Sequence, residues 1–136
     1  MQDPVMRQAA CVCGQLRLSL KGEPLYVSSC CCTRCQRRTG GFFGVTVYAR
    51  PDQVVAGSGR TQTFHLPDGS TTFHRCADCG TNLWWVPDDV DDVIGLAGGC
   101  FVGQDLPAPQ RMVWVEHKHP FVQVPTGLPT FDGPPD

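Results

Sequence analysis

A chain of 136 residues that is 41% hydrophobic and 18% charged has a globular composition, and its length points to one domain over residues 1–136. Eleven Lys and Arg against thirteen Asp and Glu leave a net charge of −2, which argues against a nucleic-acid partner, since binding phosphates takes an excess of cations. The longest uncharged runs, such as 93–104, are too short and glycine-rich to span a bilayer. Residues 1–7 carry two charges and Pro4 rather than the apolar core of a secretory signal, so a cytoplasmic protein is expected.

In chain order, the apolar pattern has period two almost wherever it has a period. Leu16, Leu18 and Leu20 alternate with polar residues, and Phe43, Val45 and Val47 do the same with Gly44 and Thr46. Further strands are expected at 25–28, 54–56, 61–65, 71–75, 82–86, 93–97 and 112–115. Pro67-Asp68-Gly69 reads as the turn of a hairpin. Only 33–39 suits a helical turn, closed by Gly40-Gly41. Residues 125–136 cannot sustain a ladder and should lie irregularly on the surface. The expected fold is mainly β, built of small antiparallel sheets, with metal crosslinks compensating for a small core.

Nine cysteines, an odd number, do not suit a secreted disulfide framework; in a reducing compartment clustered cysteines read as metal ligands or catalytic thiols. Eight of them fall into three groups. Cys11-x-Cys13-Gly14 and Cys76-x-x-Cys79-Gly80 each offer two thiolates at a turn, and two such half-sites make one four-thiolate structural zinc site. Cys30, Cys32 and Cys35 supply three thiolates within six residues. In extended chain Cys31 points to the opposite face. Three readings stay open for this trio. It is an open, catalytic zinc site, a site closed by Cys31, Cys100 or a His, or a set of free thiols. Arg34, Arg37 and Arg38 surround Cys35, and cations there favour thiolates and suit a carboxylate-bearing substrate, or simply solvate a helical turn.

The pattern Cys11-x-Cys13-Gly14, Cys30-x-Cys32-x-x-Cys35-x-Arg37-x-x-Gly40 and Cys76-x-x-Cys79-Gly80-Thr81 resembles the glutathione-dependent formaldehyde-activating family, which also includes centromere protein V. The likeness runs from about residue 7 to 131 and takes in Gly127-Leu128-Pro129-x-Phe131 near the end. It implies a zinc fold related to that of methionine-R-sulfoxide reductases. It also implies a structural zinc on Cys11, Cys13, Cys76 and Cys79 and a catalytic zinc on Cys30, Cys32 and Cys35. The implied reaction joins glutathione to formaldehyde, formally a carbon–sulfur lyase run backwards. The family commonly has His where this chain has Cys31, and often His near Met112 and Trp near Phe121. None of these departures removes a ligand.

On these expectations the trio's zinc activates a substrate thiol such as glutathione, and Arg37 or Arg38 holds its carboxylates. Two other functions compete: a non-catalytic zinc scaffold, and a thiol-based redox or metal-buffering protein prompted by the Cys30-Cys31-Cys32 run. A homodimer is compatible with short strand edges. His65 and His74 read as strand residues, and Trp84, Trp85 and Trp114 as packing. His117 and His119 form an i, i+2 pair without a matching cluster. The acidic run 88–92 reads as a solvated turn, and Cys100 as a buried small hydrophobe.

Overall fold

The computed structural model describes residues 4–88 and 90–135. Ten strands and one short helix follow in order: β1 (Met6–Ala10), β2 (Arg17–Lys21), β3 (Tyr26–Cys30), α1 (Thr33–Thr39), β4 (Gly44–Ala49), β5 (Val54–Ser58), β6 (Thr61–His65), β7 (Thr71–Cys76), β8 (Asn82–Pro87), β9 (Ile94–Ala97) and β10 (Met112–Val113). They form a three-stranded sheet, β1-β2-β5, and a seven-stranded sheet, β10-β3-β4-β9-β8-β7-β6. Pairing is antiparallel except that β10 lies parallel to β3. The protein is mainly β, as its alternating pattern requires.

Side chains from both sheets meet in one core. Leu18 and Leu20 of β2 pack with Val27 of β3, Val47 of β4, Leu83 of β8 and Leu96 of β9, all buried. Each such side chain contributes about 1.5–3 kcal/mol by leaving water. Pro67-Asp68-Gly69 does turn the β6–β7 hairpin, with Leu66 N–H bonded to the Thr71 carbonyl at 3.0 Å. Of the acidic run 88–92, Asp89 lies outside the described residues, as do residues 1–3 of the amino terminus.

The structure departs from the sequence expectation in three places. β1 gave no alternating signal because its inward positions are Arg7 and Ala9. Arg7 is only 6% exposed, and its guanidinium bonds the Asp105 and Gly22 carbonyls and the Glu23 carboxylate at 2.7–3.3 Å. The expected strand at 112–115 stops at Val113. Trp114 takes a left-handed conformation (φ 58°), and Val115–His117 form a single 3₁₀ turn. The tail is irregular yet tied down, because Met112 N–H bonds the Pro129 carbonyl and Phe131 N–H bonds that of Met112.

Candidate metal centres and the adjoining cavity

Two groups of cysteine sulfurs converge, each with its Sγ atoms all within 4.8 Å of one another: Cys11, Cys13, Cys76 and Cys79, and Cys30, Cys32 and Cys35. Among the described residues no fourth Cys, His, Asp or Glu joins the trio, so Cys31, Cys100 and the histidines stand apart from it.

The four-cysteine group is built from two similar turns. Cys11 and Cys13 leave β1, and Cys76 and Cys79 leave β7, so the group ties the three-stranded sheet to the seven-stranded one. In each turn a glycine with positive φ, Gly14 at 83° and Gly80 at 80°, donates its N–H to the carbonyl of the first cysteine at 3.0 Å. That conformation is cheap only for glycine, and it swings the chain away from the sulfurs. Backbone N–H groups then point at sulfur: Leu16 to Cys11 at 3.3 Å, and Asp78 and Cys79 to Cys76 at 3.4 Å. Gln15 Nε2 adds a donor to Cys76 at 2.9 Å. Neighbouring sulfurs lie 3.6 Å (Cys11–Cys13) and 3.7 Å (Cys13–Cys76) apart. Four thiolates arranged tetrahedrally about one zinc would be separated by about 3.8 Å.

In the trio, Cys30 ends β3, Cys32 caps the N-terminus of α1, and Cys35 lies in its first turn. The Cys32 sulfur accepts the Cys35 N–H at 3.2 Å, which closes the loop on itself. Gly40 ends the helix, as expected of 33–39. All three thiols are half-buried, whereas Cys31 is fully buried beside them.

Crowded thiols yield one anion easily and resist the next. A hydrogen bond from Cys30, a second from Cys32 and the Arg38 charge hold the Cys35 thiol down to about 5, against the opposing pull of burial. Donation to Cys35 and burial push the Cys30 thiol far up. The other group behaves alike. Hydrogen bonds from Thr81 bring Cys79 down to about 5. Cys13 is pushed up to about 12 by burial and its three sulfur neighbours, although the Gln15 N–H opposes this. A divalent cation relieves that repulsion, and an all-thiolate set suits zinc. Both groups fit a metal ion of that kind.

Beside the trio lies a cavity of about 260 Å³. Cys30 and Cys35 line one side with Arg38, whose guanidinium lies 4.3 Å over the Trp85 ring. Ser28, Thr46 and Tyr48 form a hydroxyl-bearing wall, and Arg111 lies above it. Burial, and then the sulfurs of Cys30 and Cys35, keep the Tyr48 hydroxyl protonated beyond its ordinary range. No carboxylate lines the cavity among the described residues. A second space of about 340 Å³ adjoins Cys32, Arg34, Trp114 and His117.

The three arginines of the helix separate. Arg38 reaches the cavity. Arg34 touches it, but its terminal nitrogens are spent on Asp68 (2.7 Å) and Ser70 (3.0 Å), while Arg37 is exposed. Of the tryptophans, Trp84 packs as expected, stacked on His74 with centroids 3.6 Å apart, and Trp85 and Trp114 also line the cavity. His65 bonds Thr72 at 2.9 Å. His117 and His119 share no face: one lies against Trp114, the other against Phe42 and Phe121. Cys100 is half-buried against the core. Sequence reasoning missed Ser28, Thr46, Tyr48 and Arg111. The one available signal was hydroxyl residues at alternate positions of two strands, Tyr26 and Ser28 in β3 and Thr46 and Tyr48 in β4.

The family described as "Glutathione-dependent formaldehyde-activating enzyme" matches residues 6–117, which hold all seven clustered cysteines. The chain belongs to that family. The Gly127-Leu128-Pro129 segment falls beyond the matched range. No curated protein matches the chain. Among solved structures, the crystal structure of a Rhodobacter sphaeroides protein is similar, with a TM-score of 0.57 and 19% identity over 72% of this chain and 90% of that one. At such identity the likeness supports the fold alone. Among the described residues no helix is long and apolar enough to cross a membrane.

Proposed function

We propose that the protein is a zinc-dependent enzyme that adds the thiol of glutathione, or of a similar small thiol, to formaldehyde, a carbon–sulfur lyase reaction run towards synthesis. Cys11, Cys13, Cys76 and Cys79 hold a structural zinc, Cys30, Cys32 and Cys35 a catalytic one, and residues 1–136 act as one domain with a zinc fold related to that of methionine-R-sulfoxide reductases. The observation that carries the reading is a sulfur trio that no fourth protein ligand atom joins among the described residues, with Cys30 and Cys35 lining a cavity in which the described residues place no carboxylate.

The reaction is redox-neutral. A carbon–sulfur bond forms, the carbonyl π bond breaks, and the proton lost by the thiol ends on the former carbonyl oxygen. A zinc ion held by Cys30, Cys32 and Cys35 would supply the Lewis acidity that lowers the pKa of a substrate thiol, which matters because a free thiol of pKa ~8.5 is only a few per cent ionised at neutral pH. Arg38 offsets the negative charge beside Cys35 and is held in place by Trp85. The Tyr48 hydroxyl, which keeps its proton, donates to the oxygen as charge develops there. Phe73, Trp85 and Trp114 exclude water from the reacting atoms.

The scaffold reading leaves this cavity without a role, and the Cys30-Cys31-Cys32 run that prompts the buffering reading loses Cys31, which is 0% exposed. The test is conversion of 13C-formaldehyde to the S-hydroxymethyl adduct, followed by NMR against the uncatalysed rate. Purified protein should carry two zincs, and Cys32→Ala and Cys35→Ala should abolish catalysis with circular dichroism unchanged. Full activity in both variants overturns the proposal.

A further inference from the structure

The face of β3 and β4 that carries Cys30 has an order the reaction itself does not require. Side chains two apart on a strand share a face, so Tyr26, Ser28 and Cys30 lie on one side of β3, paired across to Tyr48, Thr46 and Gly44 of β4. A strip of four hydroxyl side chains therefore leads away from the trio. Parallel pairing of β10 with β3 sets Arg111 beside that strip, where its Nε donates to Ser28 Oγ at 3.2 Å and its guanidinium covers the Tyr26 ring at 4.3 Å.

The arginines are committed in different ways. Arg7 uses Nε and both terminal nitrogens on protein oxygens, and Arg34 uses both terminal nitrogens. Arg38 faces Cys35. Arg111 spends only Nε. Its two terminal nitrogens have no protein partner among the described residues and are not sealed from solvent. A guanidinium fixed at one edge with its fork open matches a carboxylate, which it can bind with two parallel hydrogen bonds.

We propose that Arg111 is a specificity-determining residue, holding a substrate carboxylate about two strand residues from Cys30. The proposal rests on the thiol chemistry of the preceding section. Two antiparallel residues span about 7 Å. In free cysteine the carboxylate stands three bonds from sulfur, within about 4 Å, whereas one more residue extends the reach by about 3.5 Å. The ligand class is thus a peptide-length thiol acid, and neither cysteine nor an uncharged mercaptan makes the second contact.

The test uses S-methylglutathione, which has no thiol to ionise, and its dimethyl ester, each titrated calorimetrically into the zinc-loaded protein. The parent should prefer the acid over the ester by about 10- to 100-fold, the range of a hydrogen bond to a charged group. Arg111→Gln should lose that preference and Arg111→Lys should keep part of it. S-Methylcysteine and its ester should show no dependence on residue 111. If Arg111→Gln binds acid over ester as strongly as the parent does, the assignment is overturned. A parent protein that binds S-methylglutathione in this manner yet makes no adduct with any thiol supports Arg111 and removes the proposed reaction instead.

Discussion

The two cysteine groups use the same ligand atom for opposite ends. The four-cysteine group joins turns at the ends of β1 and β7, and its sulfurs are tied down by the N–H groups of their own turns. The loop it closes between Cys13 and Cys76 spans 63 residues, against three between Cys32 and Cys35. On chain-entropy scaling that difference in closure is worth about 3 kcal/mol. The trio crosslinks nothing distant. It sits instead where β3 meets α1, against a cavity that no packing side chain fills. On the proposed function, a metal bound at the first group is coupled to folding, and one bound at the second to chemistry.

Cys76→Ala is the largest expected break in that comparison. Loss of a buried ligand that joins the sheets should cost on the order of the whole stability of a small domain, ~5–15 kcal/mol, read as loss of the urea transition and of both zincs. Cys32→Ala should shift the urea midpoint little and remove one zinc with all of the catalysis. Equal destabilisation by the two variants would abolish the distinction.

Close packing sharpens it next. A Cβ at Gly59 meets the Gln15 carbonyl oxygen and comes within 2.7 Å of the Leu16 Cα, so backbone itself must move. Gln15 is also the residue that donates to Cys76, and Gly59→Ala should cost about 1–3 kcal/mol or more and speed zinc loss to a chelator. A Cβ at Gly44 meets Arg38 Nη2 at 2.7 Å, the far end of a flexible side chain. Gly44→Ala should therefore keep most of the stability and lose activity, as Arg38 is pushed out of the cavity.

Much of this was legible in the sequence, and the part that was not has a common cause. Cysteine spacing gave both groups, the alternation of Leu16, Leu18 and Leu20 gave β2, and residues 33–39 gave the helix. β4 shows the limit. Its period-two signal came from Val45 and Val47, yet Thr46 and Tyr48 on the opposite face are turned towards the cavity rather than to water. Alternation alone reads such a face as solvent. The same holds for Arg7 and Arg111, whose positions are set by carbonyls and rings that only the tertiary structure brings near.

Tyr48→Phe tests that hidden face at smaller amplitude. Removing one hydroxyl that donates to a developing charge should lower kcat by about 100-fold, with KM for the thiol unchanged, in stopped-flow or NMR rate measurements. A change confined to KM would make Tyr48 a binding group only.

The smallest effect is expected where the β6–β7 turn meets the helix of the trio. Arg34 and Asp68 form an ion pair at 2.7 Å with both side chains about half exposed, a setting in which a pair contributes about 0.2–1 kcal/mol. Bonds from the Ser70 hydroxyl and N–H, and then Arg34, hold the Asp68 carboxyl below its ordinary value of 3.8. A depressed carboxyl stabilises the fold above its unfolded pKa, and that contribution disappears as pH falls through the folded value. The stability difference between the parent and Asp68→Asn should accordingly be constant from pH 7 to about 5 and shrink below about 4. A double-mutant cycle with Arg34→Ala, run by urea denaturation at both ends of that range, isolates the pair from the thiolates, whose own protonation in acid affects every variant alike. A coupling that stays unchanged in acid would mean that the contact between the turn and α1 is held by packing and the Arg34–Ser70 bond, and that the charge on Asp68 is incidental.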